Sequence, residues 1–161
     1  MPLPTLIQDD YPALRNSWNR ADWRRAQKEE KDVSNPIKFK KGDNITMRYV
    51  QDKDGNPVDG DRAGFIRGIA NGIWRALADR GVAPRTWKRG PLHIQESYNR
   101  EMATRFPELR LCSQDWKAEQ IAIDNYPAFH GLRFPEDKKE KEHVKQGEWK
   151  SIYFTGNNIS V

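Results

Sequence analysis

The stretch 61–80 (DRAGFIRGIANGIWRALADR) constrains the fold of this chain more than any other. Its apolar residues Phe65, Ile66, Ile69, Ala70, Ile73, Trp74 and Leu77 recur at steps of three and four. At about 100° per residue that spacing gathers them on one side of an α-helix. Asp59 or Asp61 stands where it can accept from the free N–H groups of the first turn. At the other end Arg80 followed by Gly81 supplies a cation and a left-handed stop. The rest of the chain is expected to pack around this helix.

Two further rows run along it. Gly64, Gly68, Gly72 and Ala76 are four apart and let another backbone approach closely. Three interior glycines cost about 0.8–1 kcal/mol each relative to alanine, so some contact has to offset them. Another helix of the same fold is the expected contact, with a ligand or a nucleic-acid backbone as the alternative. The second row is Arg67, Asn71 and Arg75, opposite the apolar side. Arginine can donate two hydrogen bonds to a guanine edge and asparagine can pair with an adenine edge, so this row has the chemistry to read a major groove. A solvated polar surface is the plainer alternative.

Composition bounds the function. One chain of 161 residues supports a single domain with a real core. With 36% hydrophobic and 32% charged residues and a mean hydropathy of −0.97, a compact centre with solvated ends is expected. The six Trp, six Phe and five Tyr argue against wholesale disorder, because each buries a large area. A net charge of +5 and a pI near 9.3 favour a polyanionic partner. Cys112 is the only cysteine, which excludes an internal disulfide and a Cys-rich zinc site and fits a reducing compartment. No apolar run approaches the roughly 18 residues of a membrane span, and the N-terminus lacks a signal-peptide core. The expected location is the nucleus, with the cytoplasm as alternative, and no membrane partner.

Along the chain, Pro12 is suited to a first helical position, and a polar helix is expected from there to about Lys31. Trp23 within it stands among Arg15, Arg20, Arg24, Arg25 and Lys28, either as an anchor covered by arginine stems or as a stacking platform. Residues 44–51 alternate Ile45, Met47 and Tyr49 with Thr46, Arg48 and Val50, the pattern of a strand with one buried side. The turn formers of 52–57 reverse the chain, and Val58 begins a short return strand. The Asp-x-Asp-Gly run there lacks the later ligands of a calcium loop, so no metal is expected.

The loop 81–90 carries Arg85, Trp87, Lys88 and Arg89, a phosphate-and-stacking element or, alternatively, a tryptophan plug under the core. Pro91 opens a helix to about Arg105, with Ile94, Tyr98, Met102 and Phe106 as its core stripe and His93 as a surface residue. Leu109 and Leu111 pack in the following connector. Ser113 caps a helix that runs to Tyr126, before Pro127. The mixed-charge run 135–150 is a solvated helix or linker, 150–155 (KSIYFT) is strand-like and a partner for 44–51, and 156–161 are loose.

The segment 106–126 (FPELRLCSQDWKAEQIAIDNY) resembles a stretch found in uncharacterised fungal proteins, and the similarity extends back through the helix at Trp74. The resemblance implies a recurrent domain and brings no functional residues with it. The chain is also similar to Myb-like and other helix-turn-helix domains, whose spaced tryptophans form the core of three short helices. Trp74, Trp87 and Trp116 follow a less regular spacing.

There is no Gly-rich phosphate loop, no His-Glu-x-x-His and no Cys–His pair with an orienting neighbour. No enzyme activity and no cofactor are expected. The fold expected is mainly α, a compact bundle of three to four helices with a small β-hairpin or ribbon and polar flexible ends. Its parts are an N-terminal arm (1–42), a core (43–134) and a charged linker with tail (135–161). The expected function is binding of nucleic acid, double-stranded DNA first, in a regulatory or chromatin-associated protein. Arg67, Asn71 and Arg75 would reach bases, Trp87 would stack, and Arg85, Lys88, Arg89, Lys40 and Lys41 would hold phosphates. The alternative is a protein interaction or homodimerisation module built on the small-residue ridge.

Overall fold

The computed structural model describes residues 1–155. Among them are five α-helices: α1 (Arg20–Lys31), α2 (Gly60–Asp79), α3 (Leu92–Arg105), α4 (Trp116–Arg133) and α5 (Pro135–Thr155). Short 3-10 turns cover Gln8–Asp10, Pro12–Leu14 and Pro107–Arg110. The fold is mainly helical. None of the helices described is long and apolar enough to cross a membrane.

Two compact units divide the chain, Met1–Tyr126 and a second that begins at Pro127. The first therefore includes the N-terminal arm. Leu14 and Trp18 are buried together with Leu111, and Tyr11 stacks on Trp18 at 5.7 Å. The arm is also tied to the body by Arg110, whose guanidinium donates to the Pro4 carbonyl at 2.5 Å.

Helix α2 takes the limits its sequence dictates. Asp59 Oδ1 accepts from the Arg62 N–H at 2.7 Å, and Gly81 ends the helix at φ +70°. Its buried side is Ala63, Ile66, Ala70, Trp74 and Leu77. The Trp74 ring lies 6.2 Å from Trp87, 5.9 Å from Tyr98 and 5.4 Å from Tyr126. Tyr98 donates its hydroxyl proton to the Ala118 carbonyl at 3.0 Å, and Tyr126 donates to that of Pro84. Such ring pairs add about 0.5–1.5 kcal/mol each beyond the area they bury. Helix α3 buries Ile94, Tyr98 and Met102, with Phe106 just beyond its end.

Four elements depart from expectation. Residues 44–51 form no strand, and the expected hairpin reduces to one bridge, Gln51 to Pro57. The Asn44 side chain accepts from the Met47 N–H at 2.9 Å and donates to the carbonyls of Met47 and Val58, which winds the segment into turns. Alternation fails with it, since Ile45 is 56% exposed and Val50 is fully buried. Pro57 has no N–H with which to lengthen a ladder.

The N-terminal helix begins at Arg20 instead of Pro12, because Asn19 is extended (φ −105°, ψ 144°). Helix α4 continues through Pro127, which leaves the Ile123 carbonyl without its usual donor. Residues 150–155 belong to α5 and pair with no strand. The remaining expectation, a loose 156–161, lies outside the described residues.

In the second unit His130 is buried, its ring 4.7 Å from Phe134 and its Nε2 3.6 Å from an Asp137 carboxylate oxygen.

The glycine ridge of α2 faces outward. A Cβ added at Gly64 or Gly68 would meet nothing within 4 Å, and one at Gly72 only the Arg75 guanidinium at 3.8 Å. Gly60 is the opposite case, because a Cβ there would lie 1.7 Å from the Gly42 carbonyl oxygen. Gly68→Ala should therefore stabilise the protein by about 0.5–1 kcal/mol through helix propensity alone. Gly60→Ala should destabilise it by about 1–3 kcal/mol through forced overpacking. Urea midpoints of the two variants must move in opposite directions, and movement in the same direction would show that the ridge is packed.

Candidate nucleic-acid interface

The row on α2 is only partly presented. Arg67 is half-buried, with Nη1 3.3 Å from the Met47 sulfur, because the turns of 44–50 cover that flank of the helix. Asn71 spends its amide on the Arg67 carbonyl at 3.0 Å. Arg75 is exposed.

Trp87 is only 3% exposed and belongs to the ring cluster around Trp74, so its expected role as a stacking surface is corrected to that of a core plug. Gln95 holds its loop by donating to the carbonyls of Trp87 at 2.7 Å and Gly90 at 3.2 Å. Arg85, Lys88 and Arg89 are exposed on that loop, and Lys40 and Lys41 on the turn before Asn44. Lys41 lines a shallow hollow that also holds Asp43, Asp59 and Asp61. Those carboxylates offset it as a phosphate site.

A different arrangement arises between α1, the turns of 46–49 and α4. A cavity of about 420 Å³ is lined by Arg20, Trp23, Arg24, Gln27, Lys28 and Lys31 from α1 and by Thr46 and Tyr49 from the turns. Trp116, Gln120 and Asp124, each four residues after the last, complete it from α4. Helical periodicity explains the lining on both sides, since residues three and four apart share a face.

The floor is aromatic. The Tyr49 ring stands 5.4 Å from Trp116 and 6.3 Å from Trp23, nearly perpendicular to the latter. The Tyr49 hydroxyl is buried and has no hydrogen-bond partner. Burial, and after it the negative charge of Asp124, push its pKa well up, so it remains a neutral phenol.

The rim is cationic. Arg20 is committed to the fold: its Nη2 is 2.6 Å from Glu119 Oε2, and its guanidinium lies 5.9 Å from the Trp116 ring. Arg24, Lys28 and Lys31 are exposed, and none has a carboxylate within 4.0 Å among the described residues. Asp124 accepts from the Gln120 amide at 2.9 Å on the opposite wall. The arrangement can hold a ligand that joins a flat ring to a negative charge.

The sequence offered part of this site, the arginines and Lys28 around Trp23. Tyr49, Lys31, Trp116, Gln120 and Asp124 were missed. The 20/24/28/31 spacing and the 116/120/124 spacing were the available signals, and neither says that the two helices meet.

Comparison of the chain with protein-family models, with curated proteins and with solved structures returns no match.

Beside Trp116 on α4, Lys117 is wholly buried, and its ammonium has no hydrogen-bond partner. Burial lowers its pKa to about 8, against a smaller opposite effect of Cys112. Burial likewise raises the Cys112 thiol, although the backbone N–H groups of Lys117 and Trp116 point at its sulfur and pull it down. The unfolded chain keeps the lysine proton up to its ordinary 10.5, so this group makes stability rise with pH between about 8 and 10.5. The thiol works the other way, because only the unfolded chain releases its proton near 9.0. Lys117→Met should therefore stabilise the protein at pH 7 by on the order of 1–3 kcal/mol. The gap from wild type should narrow by pH 10. Urea unfolding of both proteins at the two pH values checks this, and an undiminished gap would show that the ammonium is not what costs stability.

Proposed function

We propose that this protein binds nucleic acid, with the exposed face of α1 as its phosphate-gripping surface. The observation that carries this is the convergence of three unpaired cations, Arg24, Lys28 and Lys31, on a cavity floored by Trp23, Tyr49 and Trp116. Cations hold phosphates and aromatic rings stack on bases. Reading of a duplex groove by α2 is weakened by the engagement of Arg67 and Asn71 within the fold, which leaves Arg75 as the exposed member of that row. Lys40, Arg85, Lys88 and Arg89 remain as auxiliary phosphate contacts, and Lys41, set among Asp43, Asp59 and Asp61, is the weakest of the expected set. A nuclear, regulatory or chromatin-associated role is part of the same proposal.

Binding to random DNA and RNA pools across a salt series is the direct test. The wild type should lose affinity steeply with salt. Replacing Arg24, Lys28 and Lys31 together by Ala should lower the log–log slope by about 2–3, since each phosphate contact contributes about 0.7–0.9. A wild type without salt-dependent binding, or a triple variant with an unchanged slope, would overturn the assignment.

One observation favours a second reading, a protein interaction or homodimerisation module. Among the described residues nothing lies within 4 Å of a Cβ placed at Gly64 or Gly68, and at Gly72 only the Arg75 guanidinium does. On that reading Gly68→Leu abolishes self-association or partner binding while nucleic-acid affinity stays at the wild-type level. Sedimentation velocity of wild type and variant decides it, and identical monomeric profiles at high concentration would remove the homodimer.

A further inference from the structure

We propose that the cavity between α1 and α4 takes one unpaired base of a single strand, stacked against Trp23 while the flanking phosphates lie along Arg24, Lys28 and Lys31. This rests on the nucleic-acid reading above and specifies its substrate class.

The dimensions favour it. At about 420 Å³ the cavity falls toward the small end of ligand pockets, which suits one base with its sugar. A base inside a duplex is paired on one edge and stacked on both faces, so it cannot enter a closed-floored hollow without being flipped out. A base in a single strand is free to turn in.

The chemistry of the walls fits the two halves of a nucleotide. The α1 wall carries Arg24, Lys28 and Lys31, spaced along one face of the helix so that a backbone can follow its axis. The α4 wall offers the Gln120 amide and the Asp124 carboxylate, already oriented by their mutual hydrogen bond. These present both an acceptor and an amide to a base edge. The floor supplies ring surface, and the Tyr49 hydroxyl is buried without a hydrogen-bond partner among the described residues. An aliphatic anion would use the cations and leave the aromatic floor and the amide–carboxylate pair idle. A nucleotide uses all three, its base the floor and the edge pair and its phosphate the cations.

The experiment is fluorescence anisotropy with three probes of equal length: a mixed-sequence single-stranded DNA, the same sequence as a duplex, and a single strand whose central positions are abasic. The full chain should bind the intact single strand at least about fivefold more tightly than either other probe, the gain expected from stacking one base. Trp23→Ala should remove the preference. Because Trp23 is half-buried and its loss could disturb the fold, Thr46→Trp is the second variant, since Thr46 is exposed and an indole there fills the mouth while every cation stays.

Thr46→Trp should bind all three probes alike, with the salt dependence of the wild type. Equal wild-type affinity for all three probes, or a Thr46→Trp variant that keeps the single-strand preference, overturns the base-in-cavity proposal and leaves phosphate binding by α1 standing. Failure of all three probes to bind overturns the nucleic-acid reading and this proposal with it.

Discussion

The backbone carbonyl of Trp18 holds together the parts on which the site depends. It accepts from the Ser113 N–H at 2.8 Å and from the Trp116 indole N–H at 2.9 Å, the latter from a residue 98 positions away. Ser113 adds a bond from its hydroxyl to Asn19 at 2.8 Å. The Trp116 indole N–H would otherwise be a buried unsatisfied donor, costing roughly 1–3 kcal/mol. This knot fixes where α1 starts and sets it beside α4, and the cavity is the space left between them. Just before α4, Gln114 and Asp115 adopt φ of 54° and 53°, a conformation that is costly for residues with a Cβ. Their left-handed turn delivers Trp116 to the Trp18 carbonyl, so contacts on either side offset local strain.

A second nucleus lies around Trp74, where α2, the 81–90 loop, α3 and α4 each contribute a ring. Four large aromatic residues meeting there bury enough surface that α2 needs nothing on its far side. That explains how three glycines are tolerated on the outward face, since the helix is held by its buried side and not by propensity. Trp116 pairs instead with Tyr49, so the tryptophans do not all converge on one core as the helix-turn-helix resemblance implies.

Where a segment's structure is decided by its own residues, the sequence was legible. Asp59 and Gly81 mark the ends of α2, and the four-residue stripe of α3 fixes its buried side. Where structure is decided by a partner elsewhere, the sequence misleads. The alternation of 44–51 has the period of a strand, yet the Asn44 side chain satisfies the local backbone first, and no strand among the described residues competes with it. Arg67 carries the chemistry of a base reader, and only the covering turn with Met47 makes it a half-buried residue. Trp87 had two readings on sequence, and the rings of Trp74, Tyr98 and Tyr126 around it select the plug. The cavity was the least legible feature, because three distant segments line it and none of them is a motif by itself.

Net charge alone selects no surface, and the pairing of charges does. Glu108 engages Arg62 at 2.7 Å, Glu101 engages Arg105 at 2.8 Å, and Glu119 engages Arg20 at 2.6 Å. On α1 itself Asp22 is occupied by Arg25 at 3.3 Å, and Glu30 by Arg48 at 3.2 Å. Each of these carboxylates is paired with an arginine other than Arg24. Exposed charges are screened within about 8–10 Å at physiological salt, so scattered cations act singly and weakly, whereas three along one helix face act on the same ligand. A concave wall of low polarity beneath them strengthens their combined field. With Glu119, Asp22 and Glu30 engaged by other arginines, Arg24, Lys28 and Lys31 outnumber the one carboxylate, Asp124, that shares their cavity beside the aromatic floor.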